Sequence, residues 1–384
     1  MTATRLSPCT APTVPPSITL IISPRESFSY TQQSLDSIYQ HTRIPFELVY
    51  IDAGSPKHIQ KYLKRAAAKE GFTLLRSDRF LSPNQARNLG LSQAITDYVV
   101  FIDNNIHVSP GWLEHLWYCA QETNATVVCP LTCVGKPLHD RIHLAGGEAR
   151  IFMNIKGDRL RRHLYEKRFL VNRSAAAIKS QLHRRSCELA ELRCTLVKRE
   201  IFDKIGPFDE KLLGAQADID FCLSVNQTGR HILCEPASVV THVSQSSYHW
   251  SDLVYFMLRW SDTWEVKSLM YFQQKWDLDM DHYFLHRYQQ LGHHRRKAFL
   301  YPVLRWLTGN RKIAWLENLA IQLEQWMNQI ITDRHAQLPH TPIKKLAMTS
   351  SSDRKISAKQ QLQQSVLNSH NTTARLSQPR LMSH

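Results

Sequence analysis

The sequence predicts an α/β fold, a mostly parallel central sheet flanked by helices, with a helical C-terminal region after it. Three observations carry this. Short apolar runs at 18–22, 46–51, 72–75, 98–102 and 126–130 alternate with segments of helical periodicity, the rhythm of βαβ units. The runs are apolar at nearly every position, as strands covered on both faces are. Beyond residue 249 the rhythm changes to long stretches rich in Trp, Phe and Leu, whose stripes read as helix packing.

Along the chain, ITLII at 18–22 is the first strand, with Ser23-Pro24 behind it. Leu35, Ile38 and Tyr39 share one face of a helix from Thr31 to His41. FELVYI at 46–51 is the second strand, and Asp52-Ala53-Gly54-Ser55 lies at its carboxyl end. A helix over 57–70 stops at Gly71, where a left-handed cap favours glycine. FTLL at 72–75 is the third strand. Ser82-Pro83 opens a helix expected to reach about Ile95, with proline at the first helical position, where no amide bond is lost. YVVFI at 98–102 is the fourth strand and runs into Asp103-Asn104-Asn105. Pro110 starts the next helix, and TVVCP at 126–130 is the fifth strand.

Parallel strands bring their carboxyl ends to one edge, so Asp52 and Asp103 belong to the same edge. Open α/β sheets bind ligands there, because the loops splay apart. A carboxylate such as Asp103 can hold a divalent cation, and the cation a diphosphate. The competing reading of Asp103-Asn104-Asn105 is a polar turn, which Asp and Asn favour.

From Gly146 to about Leu192 the pattern weakens and Arg and Lys crowd RLRRHLYEKRF and KSQLHRRS. This basic insert, about 150–192, reads as a mobile loop or lid near anionic ligands or as a solvated face, with helical spacing in its second half. Regular structure resumes with a strand at Cys194–Val197 and a turn at Gly206-Pro207. Asp218 and Asp220 open a helix reaching Gly229, with Asp218 readable as its N-cap. HILC and SVVTHV are two short strands, the second ending on His242. Residues 1–17 read as a disordered leader without the apolar core of a signal peptide. Residues 18–245 form the α/β domain, 246–333 the helical region and 334–384 a disordered basic tail.

Composition narrows the partners. Net charge is +15, which favours phosphorylated substrates, anionic lipid or nucleic acid. No base-reading motif is present, so nucleic acid is not expected. No apolar run approaches the ~18 residues of a membrane span, and a cytoplasmic location is expected, with the basic and aromatic C-terminal helices offering peripheral contact at the membrane's inner face. The eight cysteines are scattered without a CxxC pair and read as buried reduced thiols.

Four features stand in one order: a strand then Asp52; Ala86-Arg87-Asn88-Leu89-Gly90; a strand then Asp103-Asn104-Asn105; and Gly206-Pro207-Phe208-Asp209-Glu210 before Asp218-Ile219-Asp220. With Pro110-Gly111-Trp112-Leu113, and Pro236-Ala237 leading to His242, this set resembles family-2 glycosyltransferases of the GT-A (Rossmann-like) fold, soluble and non-processive, over about residues 18–245. The resemblance implies a nucleotide-sugar donor, usually UDP-linked, and an acceptor hydroxyl on a glycan, lipid-linked glycan or protein. It implies that Asp52 meets the base, that Arg87 lies near base or diphosphate, and that Asp103 sits by ribose and metal. Pro24 and Glu26 would line the donor site in the opening element, Asn105 and His242 would complete the Mn²⁺ or Mg²⁺ site beside Asp103, and Asp218 would be the catalytic base of an inverting transfer.

Three residues depart from the family pattern. Asn105 replaces the second acid of D-x-D, Ala217 replaces the acid before the base, and Ser27 replaces an asparagine in the opening element. A relative that binds nucleotide sugar or a partner protein without turnover is therefore a second reading. A polyanion- or membrane-binding basic protein is a third.

Overall fold

The computed structural model describes residues 17–156, 159–214, 216–243, 250–338 and 343–347. Among the described residues there are thirteen strands: β1 Ile18–Ser23, β2 Glu47–Ala53, β3 Thr73–Ser77, β4 Tyr98–Asp103, β5 Ile106–Val108, β6 Val127–Val134, β7 Ile142–Leu144, β8 Gly147–Lys156, β9 Arg159–Arg168, β10 Arg185–Cys187, β11 Cys194–Lys198, β12 Ile232–His242 and β13 Lys344–Ala347. Eleven form one sheet in the order β10-β12-β6-β11-β4-β1-β2-β3-β13, with β5 beside β12 and β7 beside β6. The run β4-β1-β2-β3 is parallel, so Asp52 and Asp103 do share one carboxyl edge. In register, Ser23 lies opposite Asp103 and Asp52 opposite Arg76.

Helices α1 Thr31–His41, α2 Lys57–Glu70, α3 Pro83–Leu91 and α4 Trp112–Thr123 connect the first strands. Local chemistry sets their ends. Gly71 caps α2 at φ 71°, and Ser82 with Gln85 forms a capping box around Pro83 at the start of α3, satisfying amides that have no helical partner. Strand residues alternate between two apolar layers. Ile18, Leu20, Ile22, Val100 and Ile102 face Leu35, Leu63 and Trp112, whereas Ile21, Val99 and Phe101 face Phe202, Phe208 and Phe221. Each such fully covered side chain contributes roughly 1.5–3 kcal/mol.

Several expectations change. The helix predicted to reach Ile95 ends at Leu91. The two short strands before His242 are one strand, β12, with a register shift between Glu235 and Val239. The strand predicted at Cys194–Val197 is β11, and it enters antiparallel between β4 and β6, so the sheet is less uniformly parallel than the βαβ rhythm implies.

The basic insert is not helical in its second half. Strands β8 and β9 pair as a separate hairpin, and the chain after them forms turns, one 3₁₀ turn at Lys179–Gln181 and β10. Apolar Ala149, Ile151, Met153 and Ile155 do alternate along β8, but its partner β9 is mostly charged, so nothing local marked the pairing. The hairpin is tied to the helical region by Arg162 N donating to Asp279 (2.9 Å), by His163 against Asp281 (2.8 Å) and by Arg287 against Glu166 (2.6 Å).

The remaining helices are α5 Phe202–Ile205, α6 Gln216–Gln227, α7 Leu253–Arg259, α8 Asp262–Lys275, α9 His282–Gln289, α10 His293–Arg295, α11 Tyr301–Thr308 and α12 Ala314–Gln337. The helical region thus extends to Gln337. Within the segment expected as a disordered tail, β13 adds antiparallel to β3; residues 348–384 of that tail, and residues 1–16 of the leader, lie outside the described residues. The seven cysteines from Cys119 to Cys234 are buried and unbridged, and Cys9 lies outside the described residues. Among the described residues no helix is long and apolar enough to cross a membrane.

Candidate active site

At the carboxyl edge three elements deliver charges to one place. Asp103 closes β4, Arg87 projects from α3, and Asp218 is the third residue of α6 rather than its cap. Arg87 lies between the two acids, 3.9 Å from Asp103 and 3.7 Å from Asp218. It is almost wholly buried, bonded to Asn84 Oδ1 at 3.2 Å and set over the Phe208 ring. Burial lowers its pKa despite the attraction of Asp218 and Asp103. The second guanidinium on Asp103 is Arg25, at 3.1 Å from Oδ2. Burial works against its charge as well, but Asp103, Asp218 and Glu26 outweigh it and raise its pKa.

The motif around Arg87 also has a packing role. Asn88 Nδ2 donates to the Phe208 carbonyl at 2.8 Å, and Asn88 Oδ1 accepts the Phe208 amide at 2.9 Å, clamping the GPFDE segment to α3. At Gly90 a Cβ would come within 2.2 Å of Ile21 Cγ2, so α3 reaches the sheet only because that side chain is missing.

Beside these charges lies a second group. Asn105 Nδ2 is 2.9 Å from His242 Nε2, and the same imidazole nitrogen is 3.2 Å from Glu26 Oε1. Trp260 Nε1 donates to the other Glu26 oxygen at 3.0 Å. Burial, then the charge of Arg193, lowers the His242 pKa against the pull of Glu26. Burial alone would raise the Glu26 pKa, but His242, Arg25 and Arg193 hold it well below the ordinary carboxylate value. Asn105 Oδ1 is buried without a partner.

This set suits a hard or borderline divalent cation: an orphan amide oxygen, an imidazole and an ionised carboxylate. Neighbouring ligands of such an ion, at ~2.1 Å each, stand about 3 Å apart, as His242 Nε2 and Glu26 Oε1 do, whereas Asn105 turns its amide nitrogen, not its oxygen, to His242. Asp103, expected among the ligands, instead has its oxygens turned to Arg25 and Arg87. Among the described residues no group of three His, Cys, Asp or Glu side chains converges as a metal centre.

Asp52 lies further along the edge, buried, with Arg76 on one oxygen and the Ser55 amide on the other at 3.0 Å. Each oxygen keeps a second lone pair. The Pro24 carbonyl accepts from Tyr255 at 2.9 Å, which ties the opening element to α7.

Of the acids in the GPFDE–Asp218–Asp220 stretch, three are engaged elsewhere, Glu210 by accepting from Asn88 Nδ2 at 2.9 Å. Asp209 binds Tyr271 and Lys275, and Asp220 binds Lys275 and Trp276. Asp218 has no hydrogen bond among the described residues, and its side chain keeps 13% exposure, where Asp103 keeps 2%. It is the carboxylate an incoming group can reach.

Sequence reasoning missed Arg25, Arg193 and Glu191. Antiparallel β11 starts at this edge, and the Arg193 carbonyl accepts the Asp103 amide at 2.8 Å. Glu191 is buried between Arg193 Nε (2.7 Å), Arg168 (3.0 Å) and His143 (3.1 Å). The available signal was Glu191-Leu192-Arg193, charges flanking a leucine just before an apolar strand. Arg25, Arg87, Arg193 and Arg259 each keep a buried guanidinium nitrogen with no protein acceptor. Such donors call for an explanation, and an anionic ligand supplies one.

Residues 19–185 match the family model described as Glycosyl transferase family 2. An uncharacterized protein y4gI of Sinorhizobium fredii is 26% identical over 244 residues, 61% of this chain and 25% of its own length. Polypeptide N-acetylgalactosaminyltransferase 11 of Xenopus tropicalis is 28% identical over 139 residues, 33% of this chain and 23% of that protein. The chain thus spans about a quarter of the length of these two relatives. Among solved structures, GalNAc-T7 with UDP, GalNAc and Mn²⁺ aligns at TM-score 0.47 and 15% identity, over 76% of this chain and 57% of that one. The chain is thus similar to family-2 glycosyltransferases over residues 19–185, the stretch that carries Asp52, Arg87, Asp103 and Asn105.

Proposed function

We propose that the protein transfers a sugar from a nucleoside-diphosphate donor, UDP-linked as the family resemblance implies, to an acceptor hydroxyl with inversion. The observation that carries this is the Asp103–Arg87–Asp218 bridge at the carboxyl edge, which puts a reachable carboxylate beside a cluster of buried cations. Asp218 takes the hydroxyl proton as the acceptor oxygen attacks the anomeric carbon. The bond from that carbon to the diphosphate breaks, and its electron pair leaves with the diphosphate. Arg25, Arg87 and Arg193 receive the growing charge through fixed donors that need no rearrangement. Asp52 accepts from the base with its remaining lone pairs. Asn105, His242 and Glu26 would hold a Mn²⁺ or Mg²⁺ ion, which when bound neutralises part of the diphosphate charge.

The test is thermal melting with a panel of nucleoside diphosphates and nucleotide sugars, with and without Mn²⁺. A ligand at ~100 times its Kd stabilises by about 2.7 kcal/mol. A shift with one nucleotide, increased by Mn²⁺, is expected and names the base. No shift with any nucleotide overturns the donor site. Nucleotide binding without transfer or donor hydrolysis supports the non-catalytic reading that Asn105 and Ala217 raise.

A further inference from the structure

Helix α12 is oriented against its own composition. Its buried residues are Glu324, Asn328 and Thr332, while Trp315, Leu319, Leu323 and Trp326 lie outward, 69%, 56%, 54% and 62% exposed. Those four are spaced 4, 4 and 3 apart, one stripe of the helix. On helix α11, Trp306 is 81% and Leu307 62% exposed. Exposed large apolar side chains concentrated on two successive helices mark an interaction site.

Its borders are basic. From Arg295 to Leu316 the sequence holds six Arg or Lys residues and no acid. Between α11 and α12 opens a cavity of about 270 Å³ whose lining includes Arg305, Arg311 and Lys312, with Glu317 the single carboxylate. Exposed Trp and Leu beside Arg and Lys match the apolar–headgroup boundary of a bilayer, where indole rings and cations both find partners. A symmetric contact between two copies would instead bring the two basic cavities toward one another.

We propose that the α11–α12 face docks on an anionic phospholipid surface, with a lipid phosphate in the Arg305–Arg311–Lys312 cavity and the tryptophans in the interface. This stands apart from the sugar-transfer reading, and its readout is lipid binding alone. The experiment is co-sedimentation of the full chain with vesicles of phosphatidylcholine, with or without phosphatidylglycerol, alongside sedimentation velocity without lipid. Binding is expected only with phosphatidylglycerol and is expected to fall as salt rises. R311A/K312A should weaken it about 25-fold, about fivefold per charge, and W306S/W326S should abolish it, both with unchanged melting temperature because these side chains are exposed. Absence of binding to anionic vesicles overturns the proposal. So does binding that both variants retain, which would place the contact elsewhere. Self-association that W306S/W326S dissolves, without vesicle binding, overturns it in favour of a second copy of this chain.

Discussion

At the sheet edge around Asp103 and in the seam beneath α12, charged and polar side chains alike lie out of water, but they are satisfied differently. In the seam the network closes on itself. Arg295 binds Glu324 at 2.5 Å, both Asp262 oxygens at 3.0 Å and the Trp260 carbonyl. Asn328 donates to the Met257 carbonyl at 2.7 Å and accepts the Asp262 amide at 3.2 Å. At the edge, Arg25, Arg87, Arg193 and Asn105 each keep an unpartnered buried atom. A closed network orients the element it holds, here presenting the apolar face of α12 outward. An open one is complete only when something else is bound.

The largest effect that would sharpen this contrast is at Asp218. Asp218→Asn should lower the transfer rate about 10²–10⁴-fold while nucleotide-induced melting shifts persist. Retained turnover would remove Asp218 as the base.

The seam should respond in stability rather than in chemistry. Arg295→Met leaves Glu324 and Asp262 without their cation and should cost about 3–5 kcal/mol, read by denaturant unfolding. A loss well under that range would show that the network is not closed in solution. Asn105→Asp comes next: adding charge beside His242 should tighten Mn²⁺ binding about tenfold, since ligand charge sets affinity. Unchanged Mn²⁺ affinity, by calorimetry, would show that Asn105 is not a ligand.

The smallest effect concerns pH. His139, bonded to Thr241 at 2.8 Å near the end of β12, has its pKa lowered to about 4 by burial. The unfolded chain binds that proton from about pH 6.5, so the fold has its full contribution above pH 6.5 and loses it as pH falls toward 4. The slope is at most ~1.4 kcal/mol per pH unit, less solvent screening. His139→Gln should flatten the stability curve in that window, and an unchanged curve would show that His139 titrates normally.

Much of the edge was legible in advance because its signals are local. An apolar run followed by Asp52 or Asp103 states both strand and edge position. Gly71 and Ser82-Pro83 state helix ends, and Arg87, Asn88 and Gly90 stand together on one turn. Asn105 and His242, 137 residues apart, meet at 2.9 Å because each lies at the end of an element on the same edge. Features that depend on non-local pairing had no such signal. In the β8–β9 hairpin the apolar alternation of β8 meets a mostly charged β9, and β13 lies in a polar segment.

The sequence by itself determined the strand–helix alternation, the shared edge of Asp52 and Asp103, and the family pattern, because burial periodicity and capping act over a few residues. Tertiary structure decided the rest. The antiparallel entry of β11 brought Arg193 and Glu191 to Asp103, since strand direction depends on which neighbours remain unpaired. The reversed face of α12 likewise came from Arg295 and Asn328, whose partners lie on other helices: a polar network that closes inside leaves the helix's apolar stripe to the outside.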